Sequence, residues 1–292
     1  VATEKTAVRI MYSDQMFYVS VICYDSNPKG IVISDTRRDA PLNNTDSFMF
    51  ILDTFHDQQN GFVFGTNAGG IEYDAQVSGG GEGMSISSTR QSVGVGANFN
   101  INWDAAWDVK TEIGEYGWSA EFAIPFKTLR FSSAKDQSWG ANFQRTIARK
   151  NEHVFWSPIP RQFSLNRLAL EGTLTGINVP TDRNIKLMPY VLGNNNKVIN
   201  ETSYSESEGD FGLDAKVGVT SSLTMDITYN TDFAQVEADE QQVNLDRFSL
   251  FFPEKRAFFL ENAGLFSAGE NTYYGPDIEM FFSRRIGIVS GN

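Results

Sequence analysis

The sequence predicts an all-β protein, on two observations. Short apolar stretches punctuated by Gly, Asn, Asp and Pro recur across residues 6–176, and two segments after Asn184 alternate apolar and polar residues with strict period two. An aromatic share of 13%, with 25 Gly against 9 Pro, suits many strands joined by turns. The expected architecture is an antiparallel β-sandwich over residues 1–178, then the first strands of a transmembrane β-barrel over residues 179–292.

The elements follow in chain order. Residues 7–11 and 16–22 are apolar and flank Ser13-Asp14-Gln15, the pattern of a hairpin. Further strands are expected at 47–53, 61–66, 109–113, 118–124, 139–147 and 168–174. The Gly- and Ser-rich segment 79–102 reads as a mobile loop at one end of the sandwich. Pro180-Thr181-Asp182-Arg183 marks the domain boundary, since the residue pattern changes after it.

Beyond that boundary, Phe211, Leu213, Ala215, Val217 and Val219 alternate with Gly212, Asp214, Lys216, Gly218 and Thr220. Leu223, Met225, Ile227 and Tyr229 alternate with Thr224, Asp226, Thr228 and Asn230. Strands of about ten residues with one apolar face suit a tilted bilayer crossing, although a hairpin of a soluble sheet alternates as well. Loop lengths favour the membrane: 193–208 is long and polar, whereas Thr220-Ser221-Ser222 is minimal. A strand over 185–192 would run outward to an external loop and return to a short periplasmic turn, leaving the sandwich in the periplasm. So few strands cannot close a barrel, and an open edge would leave amides unpaired in hydrocarbon, so the chain reads as a fragment. It opens in strand-like residues at Val1, as if a leading segment were absent. Residues 232–268 mix Phe with charge and interrupt the strand rhythm. A helix is expected near Ala238, and a plug or cap whose Lys255, Arg256 and Glu261 pair with Asp214 and Asp226.

Charge and composition exclude several classes. A net charge of −12 argues against binding of nucleic acid or anionic lipid, both of which require clustered Lys and Arg. Cys23 stands alone, so no intramolecular disulfide forms, and it reads as a small core residue. His56 and His153 are the only histidines, and no nucleophile elbow, metal-binding His pair or phosphate loop occurs. The protein is therefore expected to be no enzyme and to need no cofactor.

Three groups of residues are candidate sites. Trp103 and Trp107, with Asp104, offer flat rings and a carboxylate for pyranose stacking, or else cap the sandwich core. Arg37-Arg38-Asp39 with Asp46 and Asp53 form either a polar binding edge or structural ion pairs. Asp53, Asp57 and Asn60 carry oxygen ligands but lack the spacing of a calcium loop, so no metal is assigned and a turn of solvated acids is expected.

Several stretches carry a family resemblance. They are Val8-Arg9-Ile10-Met11-Tyr12-Ser13-Asp14, Thr36-Arg37-Arg38-Asp39, Asp46-Ser47-Phe48-Met49-Phe50-Ile51-Leu52-Asp53, Trp103-Asp104-Ala105-Ala106-Trp107, Gly117-Trp118-Ser119-Ala120-Glu121-Phe122-Ala123-Ile124-Pro125-Phe126 and Trp139-Gly140-Ala141-Asn142-Phe143. Through them residues 6–176 resemble family 9 carbohydrate-binding modules, in the form fused to a large, uncharacterised outer-membrane β-barrel family. The barrel part is similar at Leu213-Asp214-Ala215-Lys216, Asp232-Phe233-Ala234-Gln235-Val236-Glu237-Ala238-Asp239, Phe251-Phe252-Pro253-Glu254-Lys255-Arg256 and Phe281-Phe282-Ser283-Arg284-Arg285-Ile286-Gly287. The resemblance implies a bacterial outer-membrane location and a periplasmic module. Its partners would be a glycan, outer-membrane lipid around the barrel, and an envelope protein. The positions at which the family places its two ligand-stacking Trp and its Glu fall near Asn43, near 161–163 and at Met49, so those sugar contacts are replaced here. Glycan or envelope-partner binding linked to transport or scaffolding is the expected function. A protein-binding assembly domain is the first alternative and an envelope glycan hydrolase the second.

Overall fold

The structure is a computed structural model. It describes residues 2–81, 99–101, 103–132, 136–179, 185–198, 204–218, 224–230, 267–272 and 275–280. Strands β1 (Thr6–Tyr12), β2 (Met16–Tyr24), β3 (Ser47–Asp53), β4 (Gly61–Asn67), β5 (Tyr73–Val77) and β6 (Phe99–Asn100) come first. They are followed by β7 (Asp108–Gly114), β8 (Gly117–Pro125), β9 (Asp136–Ile147), β10 (Glu152–Phe155) and β11 (Gly172–Asn178). One antiparallel sheet has the order β1-β2-β8-β7; the other runs β10-β9-β3-β4-β5-β6, with β11 sharing the β10 edge of β9. The described residues contain no α-helix.

The β1–β2 hairpin forms where the sequence places it, and Ser13 closes it: its N–H donates to the Met16 carbonyl at 2.9 Å and its hydroxyl accepts the Met16 N–H at 3.2 Å. Alternation in β2 sends Phe17, Val19, Val21 and Cys23 inward, where they meet Ala120, Phe122 and Ile124 of β8 and Phe48, Phe50 and Leu52 of β3. Rings carry much of this core: Phe50 stands edge-on to Phe122 at 5.1 Å, and Phe17 lies 5.4 Å from Trp139. Strands β3 and β4 are buried at every residue. Their second face, with Met49, Ile51 and Val63, is covered by Leu42, Ile71, Leu165 and Leu168, which is why the strand reads as one apolar run.

Arg145 is a buried cation inside this fold. Its guanidinium donates to the carbonyls of Lys5 (3.0 Å) and Tyr24 (2.8 Å) and to the Thr6 hydroxyl (3.2 Å), tying β9 to the opposite sheet. The β7–β8 turn needs glycine at Gly117, whose φ is +124° and where a Cβ would fall 2.2 Å from the Cys23 carbonyl oxygen.

Four strands differ from expectation. β5 and β10 mix polar with apolar residues and stand where no strand is expected. β6 falls inside the expected loop 79–102. The expected strand over 168–174 begins at Gly172, after a 3-10 turn at Leu168–Leu170.

The C-terminal part contains β12 (Ile185–Val198), β13 (Tyr204–Gly218) and β14 (Thr224–Tyr229) in one antiparallel sheet. β15 (Ser267–Thr272) pairs with β16 (Gly275–Glu279). Here an expectation is corrected. Most of the polar stretch 193–208 is paired strand rather than loop, with Asn194↔Glu208, Asn195↔Ser207, Asn196↔Glu206, Lys197↔Ser205 and Val198↔Tyr204 in register. Ladder bonds use main-chain groups, so a polar sequence extends a hairpin wherever neither face needs burial. Most of the expected loop 79–102, the short turn 220–222, and nearly all of the insertion 232–268 with Ala238, Lys255, Arg256 and Glu261 lie outside the described residues.

Candidate functional site

The sheet β12-β13-β14 exposes an apolar face. Register sets Ile185, Leu187, Pro189 and Val191 beside Val217, Ala215, Leu213 and Phe211, and sets Met225, Ile227 and Tyr229 beside Val217, Ala215 and Leu213. These positions are apolar in sequence, and they are largely exposed: Val191 at 86%, Leu187 at 62%, Phe211 and Tyr229 at 64%. The opposite face carries Asp210, Asp226 and Asn230, all exposed, half-buried Thr228, Met188 and Tyr190, and Asp214, which is 9% exposed. Its polar groups bond to one another: the Thr228 hydroxyl donates to Asp214 Oδ1 at 2.6 Å, and Asn230 Nδ2 to Asp210 Oδ1 at 2.6 Å. Tyr190 lies across Gly212, where a Cβ would meet its ring at 2.2 Å. In water a bare apolar face of this extent is unfavourable.

In the sandwich, the structure brings Arg38, Asp104 and Trp103 into one region. The Arg38 guanidinium donates to Glu72 (2.5 Å), Asp74 (2.7 Å) and Asp104 (2.6 Å), with Asp39 at 3.7 Å. Asp74 is buried, and its other oxygen accepts the Ala105 N–H at 2.7 Å; burial pushes its pKa up to about 6 against the pull of that N–H and of Arg38. Arg38 thus pins the segment before β3 to β5 and to the 103–107 segment, as a structural ion pair does. Arg37 turns away to Asp35, which it holds well below the usual carboxylate range. Asp46 lies apart and buried, with Oδ2 accepting the Val32 N–H at 2.8 Å and its pKa raised by burial.

The expected indole platform does not form. Trp107 is 5% exposed, stacked on Phe122 at 5.6 Å and edge-on to Phe64 at 5.3 Å, so no ligand reaches its faces. Trp103 is half-buried against Phe62 at 5.0 Å. The segment runs beneath the end of the sandwich, where an indole closes the core more favourably than it meets water. Trp118 and Trp139 are core residues, as expected. The acids after β3 also act locally. The Asp53 carboxylate accepts the N–H groups of Asp57 (3.2 Å) and Gln58 (2.7 Å), and Asp57 accepts those of Gln59 (2.7 Å) and Asn60 (2.9 Å). This is a turn held by its own carboxylates, and the described residues contain no group of three metal-ligating side chains.

Sequence reading missed Trp156 and Glu171. Trp156 is 56% exposed, the most open of the five indoles. It is also fixed. Its ring covers Gly172, where a Cβ would fall 2.3 Å away, and stands edge-on to Phe143 at 5.7 Å. The Asn142 amide clamps the next residue, accepting the Ser157 N–H at 2.9 Å and donating to the Ser157 carbonyl at 3.1 Å. Glu171, beside Gly172, is pushed up to about 9 by burial and by Asp53 and Asp57, so it carries its proton at neutral pH. No expected strand borders Trp156, so the sequence carried no signal for which indole would remain open.

Residues 181–291 match the model of a family described as a domain of unknown function, DUF5916; the match begins just past β11. No curated protein matches the chain. Among solved structures, a Bacteroides uniformis ATCC 8492 protein provisionally designated carbohydrate-binding is similar at 12% identity and a TM-score of 0.44, over 59% of this chain and 78% of that one. A family 9 carbohydrate-binding module from Caldicellulosiruptor kristjanssonii, in complex with glucose, is similar at 14% identity and a TM-score of 0.42, over 62% of this chain and 81% of that one.

Proposed function

We propose that this chain belongs to a bacterial outer-membrane protein: its C-terminal sheet is part of a transmembrane β-barrel, and its sandwich is a periplasmic module that engages envelope glycan. The observation that carries the reading is the exposed apolar face of this sheet, backed by an opposite face that carries Asp210, Asp214, Asp226, Thr228 and Asn230. Lipid outside and a polar interior give each face the solvent it suits. Fractionation of the full-length protein tests this. It should stay with outer membranes after urea and carbonate washing; release by either wash would refute it.

For the sandwich, Trp156 is the surface best suited to a pyranose. A rigid, half-exposed indole binds a sugar face without first losing side-chain entropy. Titrating the full-length protein in lipid nanodiscs with xylan, cellulose oligosaccharides and peptidoglycan fragments tests this. Binding should disappear in Trp156→Ala and persist in Trp103→Ala. Absence of binding to every glycan would favour the second reading, an assembly domain contacting protein through the same exposed ring.

A further inference from the structure

The apolar face of the β12–β14 sheet ends abruptly, and it ends at one level on both long strands. Alternate residues of the β12 sequence are Ile185, Leu187, Pro189, Val191 and then Gly193, Asn195 and Lys197. Alternate residues of β13, read in reverse, are Val217, Ala215, Leu213, Phe211 and then Gly209, Ser207 and Ser205. Val191 pairs with Phe211 and Gly193 with Gly209, so the change lies on one line across the hairpin.

Two aromatic rings stand on the apolar side of that line. Phe211 and Tyr229 lie 6.2 Å apart at 41°, both largely exposed. A tyrosine is apolar along its ring and polar at its hydroxyl, the combination favoured where hydrocarbon gives way to headgroups. Beyond the line the hairpin keeps pairing to Val198↔Tyr204, seven residues past Val191, a projection of about 23 Å at 3.3 Å per residue. The other end of the band, at Ile185, follows within six residues of Val179, the last described residue of the preceding part.

We infer that Phe211 and Tyr229 contact the headgroup layer on the membrane side away from the sandwich, and that the polar end of the β12–β13 hairpin stands in water beyond them. This rests on the membrane reading proposed above and fixes where the bilayer stops.

Spin labels separate the two claims. The native thiol, Cys23, is fully buried, so cysteines introduced singly by Leu213→Cys, Val191→Cys and Asn195→Cys can be labelled in the full-length protein and studied in phosphatidylethanolamine–phosphatidylglycerol vesicles. The ratio of collision rates with oxygen and with a water-soluble nickel chelate reports depth. It should be high at position 213, intermediate at 191 and at least tenfold lower at 195. A ratio at 195 equal to that at 213 would leave the membrane reading standing and overturn the boundary. Water-like ratios at all three positions would overturn both.

Discussion

Replacing Leu187 by Arg distinguishes lipid from water at the centre of the exposed apolar face. Leu187 is level with Ala215 and Ile227 and is 62% exposed. Against water, an exposed apolar-to-charged change on a strand typically shifts stability by no more than about 0.5 kcal/mol. Against hydrocarbon near the bilayer middle, Arg costs about 2–4 kcal/mol. That is roughly 30- to 700-fold in the folding equilibrium. Ile113 supplies the control, since it is 48% exposed on β7 of the sandwich, and Ile113→Arg should remain within about 0.5 kcal/mol of wild type. The assay is urea titration of full-length protein folded into lipid vesicles, with the membrane part followed by its gel mobility without heating. Equal, near-neutral effects of the two substitutions would refute the membrane assignment.

Other outcomes follow from the sandwich. Trp107→Ala should lower stability by about 3–5 kcal/mol, measured by chemical denaturation, while leaving glycan binding of the folded fraction unchanged. Gly117→Ala should cost about 1–3 kcal/mol, since neither its φ of +124° nor the Cys23 carbonyl leaves room for a Cβ; an unchanged melting temperature would contradict that turn geometry. Glu171 takes its proton in the folded state up to about pH 9, whereas the unfolded chain releases it near 4.5. Its stabilising contribution is therefore complete below pH 4.5 and is lost as pH rises towards 9. Glu171→Gln should flatten the fall of melting temperature over that window, and a parallel pH profile would show that Glu171 titrates normally.

Periodicity made the repetitive parts of this fold legible. β3 occupies the stretch 47–53 that its apolar run marks, and the hairpin around Ser13 has the turn its polar residues suggest. β5 was not legible, because Asp74 and Gln76 are buried polar residues; Asp74 is held by Arg38 and the Ala105 N–H, partners distant in sequence. The polar end of the β12–β13 hairpin escaped notice for a related reason: main-chain pairing leaves no mark in side-chain chemistry when both faces are polar. Site residues were the least legible. Whether Trp107 or Trp156 meets solvent depends on how two sheets stack, not on their neighbours in the chain. Arg38 makes ion pairs, with Asp39 at 3.7 Å and with Glu72, Asp74 and Asp104, rather than with Asp46 or Asp53.

The most direct measurement is photo-crosslinking in bilayers whose acyl chains carry a diazirine near the terminal methyl, with adducts on the full-length protein located by mass spectrometry. Adducts should concentrate on Leu187, Ala215 and Ile227 and be absent from Asp214 and Thr228 of the opposite face. Labelling of both faces alike, or of neither, would contradict the claim that this sheet turns its apolar side to lipid.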